Sequence, residues 1–428
     1  MNPKTILVLG GYGGTGTWLC RLLARHTDTR VIVAGRRLGR AAALAGELER
    51  ECATETASPE GGSTASRFAA RHADAADPAL LAAAFQGVSL VIAASTTAQH
   101  AAATAAAALD VGADYLDLHF QDTALRQLEA MDARVRAAGR TCITQGGFHP
   151  GLPAALIRLA AARMGGRCRA AAVSMVMTQR VERAESLEEL VDVIADFSSQ
   201  VYRDGEWRKA AFDMKDVRRV DFGPGFGRRD CFPLFLEELR PLPPQLGLER
   251  VGVHVAGFNC FVDWVVTPLA YALYRVKRGL GRRTMARLMT WGINTFPPPR
   301  QGVVMVVEAW AAGAAQPADA PAWRLVLDDP VDAYHFTAAP VAACVLQWLD
   351  GALPGPGVRL MAHTVNPERL LKDLREMGVR VEEGDARGQG SGRPATGAPR
   401  DGPVWRPGML FLRIRTSGTG ARSWRRRP

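Results

Sequence analysis

The sequence predicts an α/β protein that begins with a doubly wound parallel sheet. Two observations carry this prediction. Short apolar runs, typical of buried strands, alternate with helical patterns over residues 4–144. A glycine-rich turn lies between the first of these strands and the first helix. With 428 residues, 47% of them hydrophobic, the chain is long enough for two or three domains with their own cores.

The opening strand, turn and helix form the first predicted unit. Residues 6–9, Ile-Leu-Val-Leu, make a short apolar run typical of a buried parallel strand. The turn at residues 11–16 has the spacing G-x-G-x-x-G, and the helix after it has Trp18 and several leucines on one face. A second apolar run at residues 31–34 completes a βαβ unit.

In such a unit each glycine of the turn has its own function. Gly11 permits the tight turn, Gly13 lets the backbone approach a pyrophosphate, and Gly16 lets the helix pack closely on the strand. The pyrophosphate would lie at a helix N-terminus, where free N–H groups and the helix dipole favour negative charge. We interpret the turn as a dinucleotide site rather than a structural glycine turn. Its predicted cofactor-binding residues are Gly11, Tyr12, Gly13, Gly14, Thr15 and Gly16.

The end of the second strand indicates which dinucleotide binds. An NAD site usually has Asp or Glu there, about 20 residues beyond the glycines, to bind the ribose 2′-hydroxyl. This chain has Gly35, Arg36 and Arg37 instead. No carboxylate is present to repel a 2′-phosphate, and two guanidinium groups can pair with one. The sequence therefore predicts NADP as the cofactor; the alternative is that one or both arginines are simply solvated.

Four further strands continue the sheet. They are predicted at residues 67–73, 90–94, 115–118 and 141–144. The helices that alternate with them are predicted at residues 41–50, 78–86, 99–109 and 123–138. Six strands that alternate with helices make a Rossmann-type parallel sheet, in which ligands bind beyond the carboxyl ends of the strands.

The loops at these strand ends hold further candidate site residues. Asp74 is predicted to contact the adenine side of the cofactor, with a plain turn residue as the alternative. Ser95 and Thr96 lie where hydroxyl and backbone groups can meet the cofactor. Asp117 is predicted to orient the nicotinamide ribose or a substrate amine. Its alternative is an aspartate that bonds to backbone at a strand end.

Reduction of a carbonyl or imine needs a proton donor as well as a hydride. His149 is the predicted donor, because it lies at a strand-to-helix turn and histidine exchanges protons near neutral pH. The alternative is that His149 caps the helix or fixes the loop. Tyr115 and His119 lie at the same edge of the sheet, and Tyr115 is predicted to pack in the core.

Segments spread along the chain carry a family resemblance. In order they are the opening βαβ unit, residues 91–95, Tyr115-Leu116-Asp117, residues 146–152, 335–340, 357–358, 366–369 and 377–379. Together they resemble the saccharopine dehydrogenase-like NADP-binding family, over residues 4–383.

The resemblance implies an NAD(P)-linked oxidoreductase with a Rossmann domain and a second α+β domain for substrate and dimer contacts. The family also includes lysine dehydrogenases, polyamine-forming imine reductases and enoyl reductases of lipid pathways, so it does not name a substrate. Saccharopine-forming enzymes typically have Asp in the turn where this chain has His149, which argues against that activity.

We predict four parts of the chain. They are an NADP-binding domain at residues 1–150, an α+β substrate and dimerisation domain at 151–334, a return to the first domain at 335–383, and a disordered tail at 384–428. The tail holds ten Arg and two Asp and so carries most of the net charge of +10. The basic balance therefore gives little support to nucleic-acid binding by the folded part.

The segment at residues 258–276 is strongly apolar but is interrupted by Asp263 and Pro268. A membrane-spanning helix needs about 20 apolar residues, so none is predicted here. Basic residues follow, and Trp and Tyr beside a basic cluster are compatible with peripheral contact of residues 258–287 with an anionic membrane. A core or dimer helix with a solvated basic flank is the favoured interpretation.

Cysteine usage and the motifs complete the functional hypothesis. Seven cysteines without C-x-x-C or zinc-ligand spacing predict a cytoplasmic location and no metal site. The leading hypothesis is an NADP-dependent oxidoreductase, a homodimer that acts on a small or lipid-linked C=N, C=O or C=C bond. The alternatives are a lipid-pathway reductase at a membrane surface and a non-catalytic protein that senses NADPH.

Overall fold

The structure is a computed structural model of the chain. It describes residues 4–55, 66–178, 181, 187–195, 199–210, 216–297, 299–312 and 320–384. The predicted tail, apart from Gly384, lies outside the described residues.

Strands and helices alternate through the first part of the chain. In order they are β1 (Thr5–Leu9), α1 (Gly14–His26), β2 (Arg30–Gly35), α2 (Leu38–Glu55), β3 (Phe68–His72), α3 (Pro78–Ala84), β4 (Leu90–Ala93), α4 (Ala101–Asp110), β5 (Asp114–Asp117), α5 (Asp122–Glu129), α6 (Asp132–Ala137) and β6 (Thr141–Thr144). The single helix predicted over residues 123–138 is wrong in one respect, because α5 and α6 divide it. Met131 between them has ψ −1°, outside the range of a regular α-helix.

The remaining elements follow in order. They are α7 (Leu152–Arg163), β7 (Cys168–Thr178), α8 (Glu188–Ala195), β8 (Gln200–Arg203), β9 (Glu206–Lys209), β10 (Arg218–Asp221), β11 (Arg228–Leu234), α9 (Leu242–Leu246), β12 (Arg250–Ala256), α10 (Thr267–Val276), α11 (Arg282–Thr295), β13 (Gly302–Ala311), β14 (Trp323–Asp329), α12 (Ala333–Leu349), β15 (Gly357–Leu360), α13 (Met361–Thr364), α14 (Pro367–Glu376) and β16 (Arg380–Gly384).

The first sheet has seven strands in the order β15-β6-β5-β4-β1-β2-β3. All its pairs are parallel. The predicted doubly wound parallel sheet is thereby confirmed. Its seventh strand, β15, comes from late in the chain and pairs with β6.

The second sheet is mixed, with the order β10-β11-β12-β7-β13-β14-β16 and with β8 joining β12 to β9. β7 and β12 are parallel, and the other pairs are antiparallel. β16 pairs with β14, so the segment at residues 335–383 contributes to both sheets: β15, in its middle, joins the first sheet, and β16, at its end, joins the second. The prediction of a second α+β part is confirmed.

Alternate residues of each buried strand face opposite layers of helices. On β1, Ile6 and Val8 join a core that also contains residues of α1, α2, α7 and α12. Leu7 and Leu9 face the other side, where α3 and α4 complete a second core. Because both faces of the sheet are covered, its central strands β1, β2 and β4 contain continuous apolar runs, as the sequence shows.

The apolar segment at residues 258–276 lies in a helical cluster outside the sheets. It contains a π-helix (Val262–Val266) followed by α10. One side packs against α8 and α11, and the other leaves Trp264 and Leu269 exposed. Within the described ranges, no helix combines the length and the apolar character needed to cross a bilayer.

Candidate functional site

The parallel strands bring the predicted site loops to one edge of the first sheet. β1 lies between β2 and β4, and β5 and β6 continue the sheet beyond β4. The loops that follow these strands therefore share one edge. They hold the predicted cofactor residues at 11–16, 36–37 and 95–96 and the predicted catalytic residues at 117 and 149. Asp74 follows β3, the strand at the end of the sheet.

The glycine-rich loop is compact. A Cβ atom at Gly16 would lie 2.3 Å from Gly10 O and 2.8 Å from Gly11 Cα, so α1 can approach the strand end only without a side chain there. The positive φ of the turn, +83°, is at Gly10 and not at Gly11. Gly11 instead allows close packing, because its Cβ would lie 2.9 Å from a Val33 methyl group. The assignment of the tight turn to Gly11 was thus wrong by one residue.

Two tyrosines flank the glycine-rich loop. The Tyr12 hydroxyl accepts a hydrogen bond of 2.9 Å from Arg37 N, and its ring lies where a side chain at Gly35 would be, 2.7 Å from that Cβ. The Tyr334 ring lies 2.8 Å from the Cβ position of Gly14. Tyr334 stands in the first turn of α12, about 320 residues after the loop, and no signal in the sequence indicated this contact.

The N-terminus of α12 is fixed to α1 by polar contacts. Asp332 caps α12 by accepting from His335 N at 2.7 Å, and it also accepts from the Trp18 indole at 3.3 Å. His335 Nδ1 lies 2.6 Å from an oxygen of the buried Asp329, and its ring stands edge-on to Trp18. These contacts hold Tyr334 over the glycine-rich loop.

Arg36 and Arg37 extend into solvent at the end of β2. Neither side chain forms an ion pair or hydrogen bond with another residue in the part of the chain that the structure describes. The preceding residue is Gly35, so no carboxylate stands at this strand end. The two guanidinium groups are available to an anion.

The other predicted cofactor residues differ in their surroundings. Ser95 lies against the glycine-rich loop, since a Cβ at Gly10 would be 2.9 Å from Ser95 Cβ. Its hydroxyl is 2.9 Å from that of Thr97, while Thr96 is exposed. The Asp74 carboxylate accepts from Ala76 N at 3.1 Å, which is the geometry of the plain turn residue given as its alternative.

Asp117 is fully buried at the end of β5. Its Oδ1 accepts hydrogen bonds from the Thr144 hydroxyl at 2.8 Å, from His119 N at 3.1 Å and from Gln145 N at 3.2 Å. Burial raises the pKa of this carboxyl, against the opposing effects of His119 and these hydrogen bonds. Asp117 therefore ties the ends of β5 and β6 together, as its strand-end alternative proposes.

Buried polar atoms gather at the ends of β5 and β6. Three of them have no partner among the described residues, His119 Nε2, Gln145 Oε1 and His149 Nδ1, whereas the Tyr115 hydroxyl interacts with the Asp117 carboxyl. Buried atoms without a partner are rare in folded proteins, because each costs free energy unless a ligand or water satisfies it. Three of them within one group of loops mark this edge of the sheet as a candidate binding site.

His149 lies half-buried between two aromatic rings. The Phe148 ring centroid is 4.0 Å from that of His149, and the Phe120 ring stands 6.1 Å away. Burial lowers the pKa of His149 to about 4, so the imidazole is neutral at pH 7 in the free protein.

Backbone strain adjoins the same atoms. Gln145 has φ +57°, a conformation that residues other than glycine rarely adopt. It lies directly after β6, and its Nε2 donates to Asp122 Oδ1 at 3.3 Å. Such strain is retained at functional sites more often than elsewhere, which agrees with the cluster of unpartnered atoms.

A buried glutamate from the second part of the chain holds the turn after His149. Glu238 accepts from Gly151 N at 2.8 Å and from Ala154 N at 3.4 Å, at the start of α7. It is fully buried, and burial raises its pKa to about 8 despite these two hydrogen bonds. Sequence reasoning missed Glu238, because 87 positions separate it from Gly151.

A parallel sheet with a glycine-rich turn at the N-terminus of its first helix defines a dinucleotide-binding protein of the Rossmann class. Residues 6–143 match the family model of the saccharopine dehydrogenase NADP binding domain. The predicted resemblance to this family is thereby confirmed over these residues. No curated protein matches the chain.

One solved structure is similar over nearly the whole fold. It is apo saccharopine dehydrogenase (L-Glu forming) from Saccharomyces cerevisiae, with a TM-score of 0.59 and 15% sequence identity. The match covers 89% of this chain and 99% of that chain. At this identity the likeness shows the fold alone.

Two other matches are weaker. A mutant of meso-dapdh from Clostridium tetani E88, crystallised with DAP, has 12% identity and a TM-score of 0.38, over 87% of this chain and 98% of that chain. A short-chain dehydrogenase/reductase from Veillonella parvula in complex with NADP has 17% identity and a TM-score of 0.21, over 27% and 46%. Neither score is high enough to support an argument.

Proposed function

We propose that the chain is an NADP-dependent oxidoreductase that transfers hydride to or from a C=N, C=O or C=C bond of a small or lipid-linked substrate. The observation that carries this proposal is the glycine-rich loop at the N-terminus of α1, with two exposed arginines after the neighbouring strand. The match to an NADP-binding domain family supports it. The polar atoms of His119, Gln145 and His149 that have no partner among the described residues support a substrate site at the same edge of the sheet.

Arg36 and Arg37 favour NADP(H) over NAD(H). A guanidinium group forms paired, charge-assisted hydrogen bonds with a phosphate, and the 2′-hydroxyl of NAD offers no negative charge in its place. Gly35 leaves no carboxylate to repel the phosphate, and the Tyr12 ring fills the space of a side chain there. The Tyr12 hydroxyl also accepts a hydrogen bond from the backbone N–H of Arg37 and so holds that residue in place.

Bound NADPH supplies the hydride, and the residues at the ends of β5 and β6 orient the substrate. His149 is neutral at pH 7 and so offers a hydrogen bond rather than a positive charge. Its Nδ1 would hydrogen-bond the substrate nitrogen or oxygen, and the proton that this atom gains would come from water. Asp117 acts as a positioning residue, because Oδ1 already holds three donors of the surrounding loops.

The test is a screen of NADPH oxidation with the full chain. The substrates are keto acids with and without amines, aldehydes, and enoyl thioesters. On an active substrate, His149→Phe should lower kcat by about a hundredfold or more, as expected when one hydrogen-bond donor to the charge that develops on the reacting atom is lost. The control is His72→Phe, an exposed histidine at the end of β3, which should leave kcat unchanged. Tight NADPH binding without turnover of any class would contradict the proposal and favour the non-catalytic sensor.

A second candidate function is reduction of a lipid-linked substrate at an anionic membrane surface. Its supporting observation is an exposed apolar surface, which includes Trp264, Val265, Leu269, Val276 and Trp291. Exposed Arg275, Lys277 and Arg287 lie on or beside the same helices. Aromatic and basic side chains together suit the interface of an anionic bilayer. In a symmetric dimer through this surface the basic groups would face each other, which disfavours a second copy as its occupant.

Vesicle co-sedimentation tests this second candidate. The protein should bind vesicles that contain an anionic lipid and should not bind neutral ones. Replacement of both Trp264 and Trp291 by Ala should abolish binding, whereas Leu38→Ala, an exposed leucine at the start of α2, should not. Absence of binding together with a concentration-dependent dimer that the double variant loses would assign the surface to a homodimer.

A further inference from the structure

A small cavity lies in the second sheet, away from the loops of the proposed hydride-transfer site. Its volume is about 110 Å³. The residues that line it come from β7, β8, β10, β12 and β13 and include Asp216 just before β10, and none belongs to the glycine-rich loop or to the loops after β5 and β6. The cavity therefore needs a separate explanation.

The strand register explains why there is space at this point. Ala170 and Ala172 of β7 share a face with Gly252 of β12 and Trp310 of β13. The intervening residues of β7, such as Ala171 and Val173, face the core that contains α7. Three very small residues side by side leave space on this face. The His254 ring lies over one of them, 3.0 Å from where a Cβ at Gly252 would be, and Trp310 forms a wall.

The side chains of two arginines enter the cavity, and a carboxylate accepts a hydrogen bond from one nitrogen of each guanidinium group. Arg203 Nη1 donates to Asp216 at 3.0 Å, and Arg218 Nη2 donates to Glu308 at 2.7 Å. Arg203 Nε and Arg218 Nη1 are buried and have no hydrogen-bond partner among the described residues. A guanidinium nitrogen is always a donor, so each of these N–H groups requires an acceptor that the described part of the chain does not provide.

His254 lies beside the two arginines in the lining of the cavity. The residue is 6% exposed, and hydrogen bonds to the backbone of Val173 and Asp216 hold its ring. Burial, and next the charge of Arg218, lowers the pKa of His254 to about 3, so its ring is neutral at pH 7. The neutral ring therefore lines the cavity without adding a charge.

Both arginines that enter the cavity are already paired with one carboxylate each, Arg203 with Asp216 and Arg218 with Glu308. The groups that remain are N–H donors, which repel a metal cation and bind an acceptor such as an anion. The volume is well below the roughly 300–1,000 Å³ of pockets for drug-sized ligands, so a whole nucleotide does not fit.

We propose that this cavity binds a small oxyanion, either a phosphate or a carboxylate, between Arg203, Arg218 and His254. Each oxygen of such a group accepts one of the N–H donors that the described residues leave unpaired. The paired carboxylates of Asp216 and Glu308 hold the two guanidinium groups in place and leave their remaining N–H groups directed to the ligand. This site is distinct from the cofactor site and does not depend on the proposed oxidoreductase activity.

Isothermal titration calorimetry of the full chain with inorganic phosphate and with acetate tests the proposal, with chloride at equal ionic strength as a control. One of the two oxyanions should bind. Arg218→Met and Arg203→Met should each weaken that binding by about tenfold to a hundredfold, the loss expected for one charge-assisted hydrogen bond. Arg219→Met, an exposed arginine next to Arg218 on the same strand, should leave it unchanged.

The results distinguish a phosphate ligand from a carboxylate ligand, and both from failure of the proposal. Phosphate binding that needs both arginines identifies a tetrahedral anion, and acetate binding that needs them identifies a carboxylate. Binding that neither substitution weakens, or no binding of either anion, overturns the proposal. Because Arg203 is partly exposed, Arg203→Met keeps the test valid if Arg218→Met does not fold.

Discussion

Replacement of Glu238 by Gln should change how the stability of the protein depends on pH. The carboxyl group is fully buried at the start of α7, and burial raises its pKa from 4.5 to about 8. Between these values the folded protein holds a proton that the unfolded chain releases. The stability that Glu238 contributes is therefore complete below pH 4.5 and is lost as the pH rises through about 8.

The size of the effect follows from the separation of the two pKa values. Each pH unit of separation corresponds to about 1.4 kcal/mol, so the full effect is on the order of 5 kcal/mol. Gln keeps an oxygen that can accept from Gly151 N, at 2.8 Å in the wild type, and it cannot ionise. Other buried carboxyls with raised pKa values, such as Asp263, are present in both proteins and cancel in the difference.

The assay is urea unfolding of both proteins at pH 5, 6, 7 and 8. From pH 5 to pH 8 the free energy of unfolding of the wild type should fall by roughly several kcal/mol relative to that of Glu238→Gln, as expected for a pKa shift of this size. Glu237→Gln is the matched control, because Glu237 lies at the surface beside Arg240. The free energy of unfolding of this variant should depend on pH as that of the wild type does. Parallel curves for wild type and Glu238→Gln would refute the assignment of a proton to Glu238.

Three further predictions concern stability and are also measured by urea unfolding. Gly16→Ala should cost about 2–3 kcal/mol because its Cβ would lie 2.3 Å from a backbone oxygen, whereas Gly46→Ala, in open space on α2, should gain about 0.5–1 kcal/mol; equal effects would contradict the packing argument. Asp117→Ala should cost about 3 kcal/mol or more, because three buried donors lose their acceptor, whereas Asp117→Asn keeps an acceptor oxygen and should cost much less. Equal losses for the Ala and Asn variants would show that the negative charge of Asp117, and not its acceptor oxygen, is what stabilises the fold. Asp332→Ala should cost about 1–2 kcal/mol through the lost cap of α12, and no loss would show that the cap is dispensable.

The sequence was informative where structure depends on neighbouring residues. The first six strands and the glycine-rich turn follow from local apolar runs and from one motif, and the fold agrees with both. The carboxyl ends of parallel strands lie at one edge of a sheet, so the positions of Ser95, Asp117 and His149 after predicted strands were enough to predict that they lie near each other.

Contacts between distant parts of the chain were beyond sequence reasoning. Tyr334 covers Gly14, and Glu238 holds the start of α7, but neither residue lies in a pattern that indicates its partner. The pKa of His149 was misjudged for the same reason. Histidine at a turn suggests titration near neutrality, whereas the enclosing rings of Phe148 and Phe120 make it neutral at pH 7.

The measurement that tests the central claim most directly is a fluorescence titration of the full chain with NADPH and with NADH. The account predicts tight binding of NADPH, weak binding of NADH, and loss of this preference in Arg36→Ala. Arg30→Ala is the control, because Arg30 is exposed at the opposite end of the same strand and should bind like the wild type. Equal affinity for the two cofactors, or a preference that Arg36→Ala and Arg37→Ala both retain, would contradict the account.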